Sequence, residues 1–254
     1  MSAAIDQQRR LHVSHHDAAE MGSVAADLVA GLVKDLPRAV IGLATGSSPL
    51  PLYQSLARRH LDLAGVRWFA LDEYIGLPAG HPESYAAVIE REVITPLGID
   101  PAAVLLPDAG RPDADQAAAD YEAAIAAAGG VDLQILGIGH NGHLAFNEPG
   151  SALDSRTRVE VLTPRTRRAN ARFFDCLDDV PTRCITQGLG TILAAKRLLL
   201  LVQGRDKAEA LRQALTGPVH PDCPASVLQL HPDVTVLTDP EAASLLPAGA
   251  ASAR

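Results

Sequence analysis

Short apolar runs alternate with longer, alanine-rich stretches along most of the chain. Several of the runs, such as 197–202, are almost continuous in apolar residues, as expected for strands that are buried on both faces of a parallel sheet. The stretches between them have the length and composition of helices. This alternation predicts an α/β fold of the Rossmann-like, doubly wound class, with a mainly parallel sheet and helices on both faces.

The pattern predicts six strands and six helices. The predicted strands are Ala39–Leu43, Val66–Ala70, Val104–Leu106, Asp132–Ile138, Arg197–Val202 and Asp233–Leu237. The predicted helices are Asp17–Lys34, Pro49–Arg59, Ser84–Val93, Ala114–Ala128, Lys207–Thr216 and Pro240–Leu245. On this assignment the first strand begins only at Ala39. The 254 residues suffice for one complete hydrophobic core, so we predict a single domain over residues 1–254.

One region, residues 151–187, departs from the alternation because it is rich in charge where a simple strand and helix would be expected. Its arginines include Arg156, Arg158, Arg165, Arg167, Arg168 and Arg172. Two interpretations stay open, a solvated surface insertion and a mobile lid that contributes an anion contact.

Charge and cysteine usage exclude several classes of protein. Lys and Arg number 22 against 30 Asp and Glu, a net charge of −8, which argues against nucleic acid or an anionic membrane as the main partner. The three cysteines form no CxxC pair, so neither a disulfide framework nor a zinc site is predicted. The segment MSAAIDQQRR lacks the apolar core of a signal peptide, and no apolar run reaches the length of a membrane span. We therefore predict a cytoplasmic protein.

The first candidate site is the loop Thr45-Gly46-Ser47-Ser48, between a predicted strand and a predicted helix. Glycine lets a ligand approach the backbone and hydroxyl groups donate hydrogen bonds, so the loop could hold an anion. Ser48 could also cap the helix, with Pro49 in its first turn. The loop lacks the lysine of a Walker A motif and is not GxGxxG. A tight turn with a capping serine is the alternative interpretation.

Acid–base candidates follow two other strands. Asp72 comes directly after the strand 66–70, where a carboxylate could act as a base or could merely close a turn. His143 and Glu148 lie in a glycine-rich segment after the strand 132–138, where they could form an imidazole–carboxylate pair. We interpret His140 as structural or simply exposed. A metal site built from His140, His143 and Glu148 is the weaker alternative, because the spacing matches no helical metal motif and no fourth ligand stands out.

Lys207 stands at the predicted start of a helix, where the helix dipole already presents positive charge. A bound anion would relieve this repulsion, whereas an exposed lysine would tolerate it. In an open parallel sheet the connections from strands to helices emerge at one edge, so the loop 45–48, Asp72, His143 and Lys207 should converge there. Acid–base groups beside an anion site suit proton transfers on a phosphorylated small molecule.

These motifs closely resemble those of the glucosamine-6-phosphate deaminase family, within the glucosamine-6-phosphate isomerase/6-phosphogluconolactonase superfamily. The matching stretches are 42–49, 71–78 with 81–85, 137–151, 155–158, 169–174, 188–191, 204–207 and 228–231. The stretch His-Leu-Ala-Phe-Asn-Glu-Pro at 143–149 is the most specific of them.

The resemblance implies conversion of glucosamine 6-phosphate to fructose 6-phosphate and ammonia, without metal or organic cofactor. It implies that Asp72 moves the proton from C2 to C1 and that His143, oriented by Asn141 and Glu148, assists ring opening. Phosphate contacts would come from residues 45–48, Arg172 and Lys207. The implied partner is a small sugar phosphate, and the chain could be a monomer or a homo-oligomer.

Two departures from the family pattern and two alternative functions accompany this resemblance. Position 141 is Asn where some members have Asp, so His143 would be less basic. Glu160 stands where a lysine would help to hold the allosteric activator N-acetylglucosamine 6-phosphate, so we expect weak or absent activation. The alternatives are a 6-phosphogluconolactonase and a non-catalytic sugar-phosphate sensor. The segment 146–149 resembles the deaminase form and so disfavours the lactonase. The sensor would need a preceding DNA-binding unit, for which we expect the residues before Ala39 to be too few.

Overall fold

The computed structural model describes residues 10–247, and the segment 1–9, on which the leader-peptide prediction partly rests, lies outside them. The strands are β1 (Arg10–His15), β2 (Val40–Leu43), β3 (Arg67–Ala70), β4 (Asp72–Ile75), β5 (Val104–Leu105), β6 (Leu133–Leu136), β7 (Arg158–Val161), β8 (Arg183–Thr186), β9 (Leu198–Val202) and β10 (Asp233–Thr238).

The helices are α1 (Ala18–Asp35), α2 (Leu50–Ala57), α3 (Tyr85–Ile89), α4 (Thr95–Leu97), α5 (Ala114–Ala127), α6 (Pro164–Asn170), α7 (Leu189–Leu193) and α8 (Ala208–Thr216), with a π-helical turn at Glu90–Ile94. Short 3₁₀ helices span Pro101–Ala103, Ala171–Phe173, Leu177–Asp179, Arg205–Lys207, Pro224–Leu230 and Ala242–Leu245. None of the helices within residues 10–247 is long and apolar enough to cross a bilayer.

Seven strands form one parallel sheet in the order β1-β10-β9-β6-β2-β3-β5. This sheet confirms the predicted doubly wound α/β class. From β2 the chain builds outward through β3 and β5, and then returns to the other side of β2 to add β6, β9 and β10. The order therefore reverses between β2 and β6. In open α/β sheets such a reversal opens a crevice beyond the carboxyl ends of the strands, where ligands bind.

The central strands were predictable because their side chains are apolar and buried. β9 is buried along its whole length, and β2 and β6 are also fully buried. Ile41, Trp68, Ile135 and Leu200 are among the fully enclosed side chains that join the sheet to its covering helices. Burial on both faces requires nearly continuous hydrophobicity, which is the signal that the sequence carries.

The prediction that the first strand begins at Ala39 is wrong. β1 forms the edge of the sheet and pairs in parallel with β10. In β1 the side chain of Val13 is 2% exposed and that of Leu11 is 38% exposed. An edge strand of mixed polarity shows no continuous apolar run, so the pattern missed it. The stretch before Ala39, which the argument against a sensor counts as preceding the first strand, contains β1 and α1 of this fold.

Two predicted helices are also corrected. The helix predicted over Ser84–Val93 is α3 followed by the π-helical turn at Glu90–Ile94, with Ser84 as its N-cap. The segment predicted as Pro240–Leu245 is only a 3₁₀ turn at Ala242–Leu245. The remaining predicted elements differ from the observed ones by one or two residues at their ends.

A second, three-stranded antiparallel sheet has the order β4-β8-β7. Leu71 alone separates β3 of the large sheet from β4 of the small one. The charge-rich region 151–187 supplies β7, α6, two 3₁₀ turns and β8. The small sheet thus brings this region back beside the carboxyl edge of the parallel strands.

Candidate active site

One cavity of about 700 Å³ opens at the carboxyl edge of the parallel sheet, and eight of the ten predicted site residues line it. They are Thr45, Gly46, Ser47, Ser48, Asp72, His143, Arg172 and Lys207. The other two, Asn141 and Glu148, are not among the lining residues and contact each other beside His143. The predicted convergence of distant segments in one cavity is thereby observed.

The loop after β2 leaves its hydroxyl groups available to a ligand. We expected Ser48 to cap α2, but α2 begins at Leu50 and its cap position is Pro49, with no side-chain hydrogen bond. Pro49 itself has helical backbone angles, so the chain turns without help from a serine. Gly46 lies in the left-handed region at φ +99° and is exposed.

Positive charge reaches the cavity from two other segments. Lys207, the predicted first residue of the helix, ends a 3₁₀ turn, and α8 begins one residue later at Ala208. The Lys207 Nζ atom lies 3.1 Å from Asp206 Oδ2. Arg172 lies in the 3₁₀ turn that follows α6, and its guanidinium carbon is 4.6 Å from the centre of the Phe173 ring. Lys207 and Arg172 both line the cavity.

Asp72 is the first residue of β4 and is 6% exposed. Burial raises the pKa of its carboxyl group well above the ordinary value, and the neighbouring charge of Glu73 raises it further. Glu73 itself accepts hydrogen bonds from the backbone N–H groups of Tyr74, Tyr85 and Ala86 at 2.7–2.9 Å. These bonds tie the start of α3 to β4, and of the two neighbouring carboxyl groups only that of Asp72 lines the cavity.

His143 lies on a sharply turned loop whose shape depends on glycine. A Cβ on Gly139 would lie 2.3 Å from atoms of the His143 ring, so only glycine lets the ring pack against this backbone. Gly142 has φ +83°, and Ala145 has φ +52°, a strained angle for a residue with a side chain. The loop therefore holds His143 in a position that an ordinary turn would not provide.

The surroundings of His143 set its charge. Burial lowers the pKa of its imidazole to about 4, and this effect exceeds the opposing influence of Glu148. The His143 Nδ1 atom lies 3.6 Å from Glu148 Oε1, and Asn141 Nδ2 donates a hydrogen bond of 2.7 Å to Glu148 Oε2. His143 is thus neutral near pH 7, with a carboxylate held beside it. The predicted imidazole–carboxylate proximity is confirmed.

His140 also lines the cavity, and its pKa is lowered by burial and by Arg165 and Lys207. Among residues 10–247, no cluster of three or more His, Cys, Asp or Glu side chains is arranged to hold a metal ion.

Aromatic residues that the sequence analysis did not single out form one wall of the cavity. Tyr74 packs against Tyr85, Phe146 and Phe174, with ring centres 4.9–6.0 Å apart. Asn170 Nδ2 donates a hydrogen bond of 2.8 Å to the Tyr74 hydroxyl. These contacts join β4, α3, the glycine-rich loop and the segment after α6. No local pattern predicts them, since they depend on how the small sheet folds back.

Comparisons with known proteins agree on the family and the fold. The family model described as glucosamine-6-phosphate isomerases/6-phosphogluconolactonase matches residues 16–237. The glucosamine-6-phosphate deaminase of Pseudarthrobacter chlorophenolicus is 56% identical over 229 residues, 89% of this chain and 88% of that protein. That of Bifidobacterium longum is 55% identical over 241 residues, 90% of this chain and 89% of that one.

Solved structures are similar over nearly the whole chain. A monomeric glucosamine-6-phosphate deaminase has a TM-score of 0.89 at 41% identity and covers 93% of this chain and 99% of its own. The 6-phosphogluconolactonase of Trypanosoma cruzi has a TM-score of 0.75 at 24% identity, covering 95% of this chain and 98% of its own. The second likeness shows the fold alone.

Proposed function

The chain belongs to the family of glucosamine-6-phosphate isomerases and 6-phosphogluconolactonases, and from this membership we propose that it is a glucosamine-6-phosphate deaminase. It converts glucosamine 6-phosphate and water to fructose 6-phosphate and ammonia. The observation that carries the proposal is that one cavity is lined by the buried carboxyl group of Asp72, the imidazole of His143 with its lowered pKa, and the hydroxyl and cationic side chains of residues 45–48, Arg172 and Lys207. Curated relatives that are 54–56% identical bear the same name.

The phosphate of the substrate binds at the open edge of the parallel sheet. The hydroxyl and backbone groups of residues 45–48 donate hydrogen bonds to it, and Lys207 and Arg172 supply opposite charge. Gripping the phosphate at a distance from the reacting carbons provides binding energy that orients the sugar. The exposed position of Arg172 in the charge-rich region supports the further proposal that a lid within residues 151–187 closes over the bound sugar.

Ring opening is the first chemical step. The hydroxyl proton at C1 must leave and the ring oxygen must gain a proton, so that the pyranose becomes an open-chain aldehyde. A neutral imidazole can accept one proton and give up another, and the low pKa of His143 keeps it neutral in the working range. Glu148 and Asn141 orient the ring and stabilise its charged form.

The aldehyde at C1 acidifies the hydrogen at C2, and Asp72 takes that proton while the ammonium group of the substrate gives a proton to the C1 oxygen, so that an enolamine forms. Asp72 then returns its proton to C1, which leaves an iminium group at C2. Water adds to C2 and ammonia departs, giving the ketone of fructose 6-phosphate. The raised pKa of Asp72 suits this task, because a carboxylate of ordinary pKa is a weak base for a carbon acid.

In this proposal the enzyme uses no metal or organic cofactor and has no nucleic-acid or membrane partner. It acts in the cytoplasm as a monomer or a homo-oligomer. The net charge of −8 supports the exclusion of polyanionic partners. Dialysis against a strong chelator should leave the activity unchanged, whereas a loss restored by one added metal would refute the cofactor-free mechanism.

The decisive experiment is to incubate the purified protein with glucosamine 6-phosphate and to follow ammonia and fructose 6-phosphate together. We expect both products in a one-to-one ratio, and no acceleration of 6-phosphogluconolactone hydrolysis in a parallel assay. Hydrolysis of the lactone without ammonia release would make the protein a lactonase. Saturable binding of the sugar phosphate without either reaction would make it a sensor.

A further inference from the structure

Thr166 is a buried hydroxyl side chain to which the proposed mechanism gives no role. It lies in α6, is 3% exposed, and is the one fully buried residue of that helix. It also lines the cavity. A threonine enclosed on an exposed helix indicates a specific polar contact, because burial of an unbonded hydroxyl is unfavourable.

The contact of Thr166 is with the carboxylate beside His143. The Thr166 hydroxyl donates a hydrogen bond to Glu148 Oε1. The hydroxyl of Thr163, which caps α6, in turn donates to Thr166 Oγ1 at 3.2 Å. Since Thr166 Oγ1 accepts from one neighbour, its own proton is directed to Glu148. Polar chains of this kind strengthen each bond by polarisation.

The same oxygen of Glu148 faces His143. Oε1 is the atom that lies 3.6 Å from His143 Nδ1, whereas Oε2 is occupied by Asn141. His143 Nδ1 is buried and has no hydrogen-bond partner within residues 10–247. Thr166 and His143 therefore compete for one carboxylate oxygen, and in this structure Thr166 has it.

Other charged groups act on His143 from each element packed around it. His140 belongs to the same loop, Lys207 precedes α8, Arg165 lies beside Thr166 in α6, and all three oppose protonation of the imidazole. Glu148 is the one carboxylate in this set that favours protonation. Control of the distance between Glu148 and His143 is thus the means by which the surrounding structure can change the charge of the imidazole.

We propose that Thr166 is a positioning residue, whose hydroxyl holds Glu148 Oε1 away from His143 and links this arrangement to the helix that leads to Arg172. The role deepens the proposed deaminase function and rests on it. With Thr166 in place Glu148 does not pair with the imidazole, which burial keeps neutral. A displacement of α6 when Arg172 engages the phosphate would release Oε1, so that Glu148 pairs with His143 as the ring-opening charge develops.

The test compares Thr166→Val, which keeps the shape but removes the hydroxyl, with Thr166→Ser, which keeps the hydroxyl. Side-chain ¹H–¹⁵N NMR of the substrate-free protein follows the titration of His143, assigned by its absence in His143→Gln. In Thr166→Val we expect the pKa of His143 to rise by about half a unit or more, because an opposite charge moves closer. The acid limb of the kcat/KM profile should move to higher pH, with kcat lowered and KM changed less than about twofold. Thr166→Ser should have the wild-type pKa of His143 and the wild-type acid limb of the kcat/KM profile.

Thr191→Val is the matched control. The Thr191 hydroxyl also donates to a partly buried glutamate, Glu122, at 2.8 Å, but Thr191 does not line the cavity. We expect this variant to lose stability with the titration of His143 unchanged. If Thr166→Val does not fold, Thr166→Ala removes the same hydroxyl without filling its place.

An unchanged His143 titration in a folded variant that lacks the hydroxyl would overturn the proposal, as would failure of Thr166→Ser to restore it. Because the NMR titration needs no substrate, it distinguishes this proposal from the proposed function. A wild-type protein that releases no ammonia would refute the deaminase assignment and leave the role of Thr166 to be decided by the titration.

Discussion

The two sheets supply different halves of the candidate chemistry. At the carboxyl edge of the parallel sheet, residues 45–48 and Lys207 stand at or near the surface, where they can meet a charged ligand from solution. The antiparallel sheet presents Asp72 from a buried position at the start of β4. Phosphate capture needs accessible donors and positive charge, whereas proton abstraction from carbon needs a carboxylate removed from water. One fold meets both needs by placing a second sheet against the edge of the first.

The junction between the sheets is therefore the point on which the site depends. Gln187 bridges it, since its backbone N–H bonds Leu71 O at 2.8 Å and its side-chain amide bonds Ala70 O at 2.9 Å. Asn147 donates to Gln187 O at 2.8 Å and so ties the glycine-rich loop to the same point. The position of Asp72 relative to His143 follows from these bonds and not from either sheet alone.

The largest effect is expected at the buried carboxylate. Asp72→Asn should lower kcat by about 10²–10⁴-fold, because it removes the proposed base while preserving shape. Quenched assays of fructose 6-phosphate formation measure the loss. Turnover at the wild-type rate would show that the proton is taken by another group.

The same variant should be more stable than the wild type at neutral pH. The pKa of Asp72 is raised in the folded state, so its favourable contribution is complete below the unfolded value of about 3.9 and is lost as pH rises through the folded value. Above the unfolded value the wild type bears the cost of burying this carboxyl group, which Asn does not have. Thermal unfolding should give a higher Tm for Asp72→Asn at neutral pH, and the difference should shrink in acid.

A smaller loss of activity, mainly in KM and not in kcat, is expected at the open edge of the parallel sheet. Lys207→Met should raise KM by about 10–100-fold with a lesser change in kcat, since a hydrogen bond to a charged group contributes about 1.5–3 kcal/mol. Lys34→Met, at the last turn of α1 and away from the cavity, is the matched control. A fall in kcat at constant KM would place Lys207 with the reacting atoms. The parallel sheet would then contribute to the chemistry and not only to phosphate binding.

The sequence predicted the parallel sheet better than the antiparallel one, for a physical reason. Strands such as β9 are buried on both faces and must be apolar, whereas β4 begins with Asp72 and Glu73, and β7 with Arg158 alternates polar and apolar residues. Neither strand shows the continuous apolar run on which the predicted strands rest. The pairing of β4 with β8 joins segments about a hundred residues apart along the chain.

The residues of the candidate site also divide into those that were predictable from the parallel sheet and those that were not. The loops that follow β2, β6 and β9 were predictable, because strand ends of a parallel sheet share one edge. Thr166 and the aromatic wall around Tyr74 were not, because they reach the cavity only through the antiparallel return of the chain. Asp72 was identified from its position after a strand, but its burial depends on β4 and β8, which the pattern did not reveal.

A moderate effect on stability is expected at the junction. Gln187→Leu should lower the free energy of unfolding by about 1–3 kcal/mol, because a buried carbonyl loses a donor. Tyr121 still donates to the same Ala70 carbonyl at 2.7 Å, which favours the lower end of this range. Urea unfolding measures the change. Gln116→Leu, whose exposed amide bonds Asp120, should change the stability by less than about 0.5 kcal/mol. Equal losses in the two variants would mean that Gln187 does not hold the sheets together.

The smallest effect is expected at β7, on the side of the small sheet that leads away from the cavity. N-acetylglucosamine 6-phosphate should leave the curve of rate against glucosamine 6-phosphate concentration unchanged, apart from simple competition. Arg158 Nη2 donates to Glu160 Oε1 at 2.7 Å, so the positive charge that this strand could offer a second phosphate is already paired within the chain. Glu160→Lys is the informative variant, since it frees Arg158 and adds a second cation. Activation of the wild type at low substrate concentration would show that the antiparallel sheet carries a regulatory anion site as well as the base.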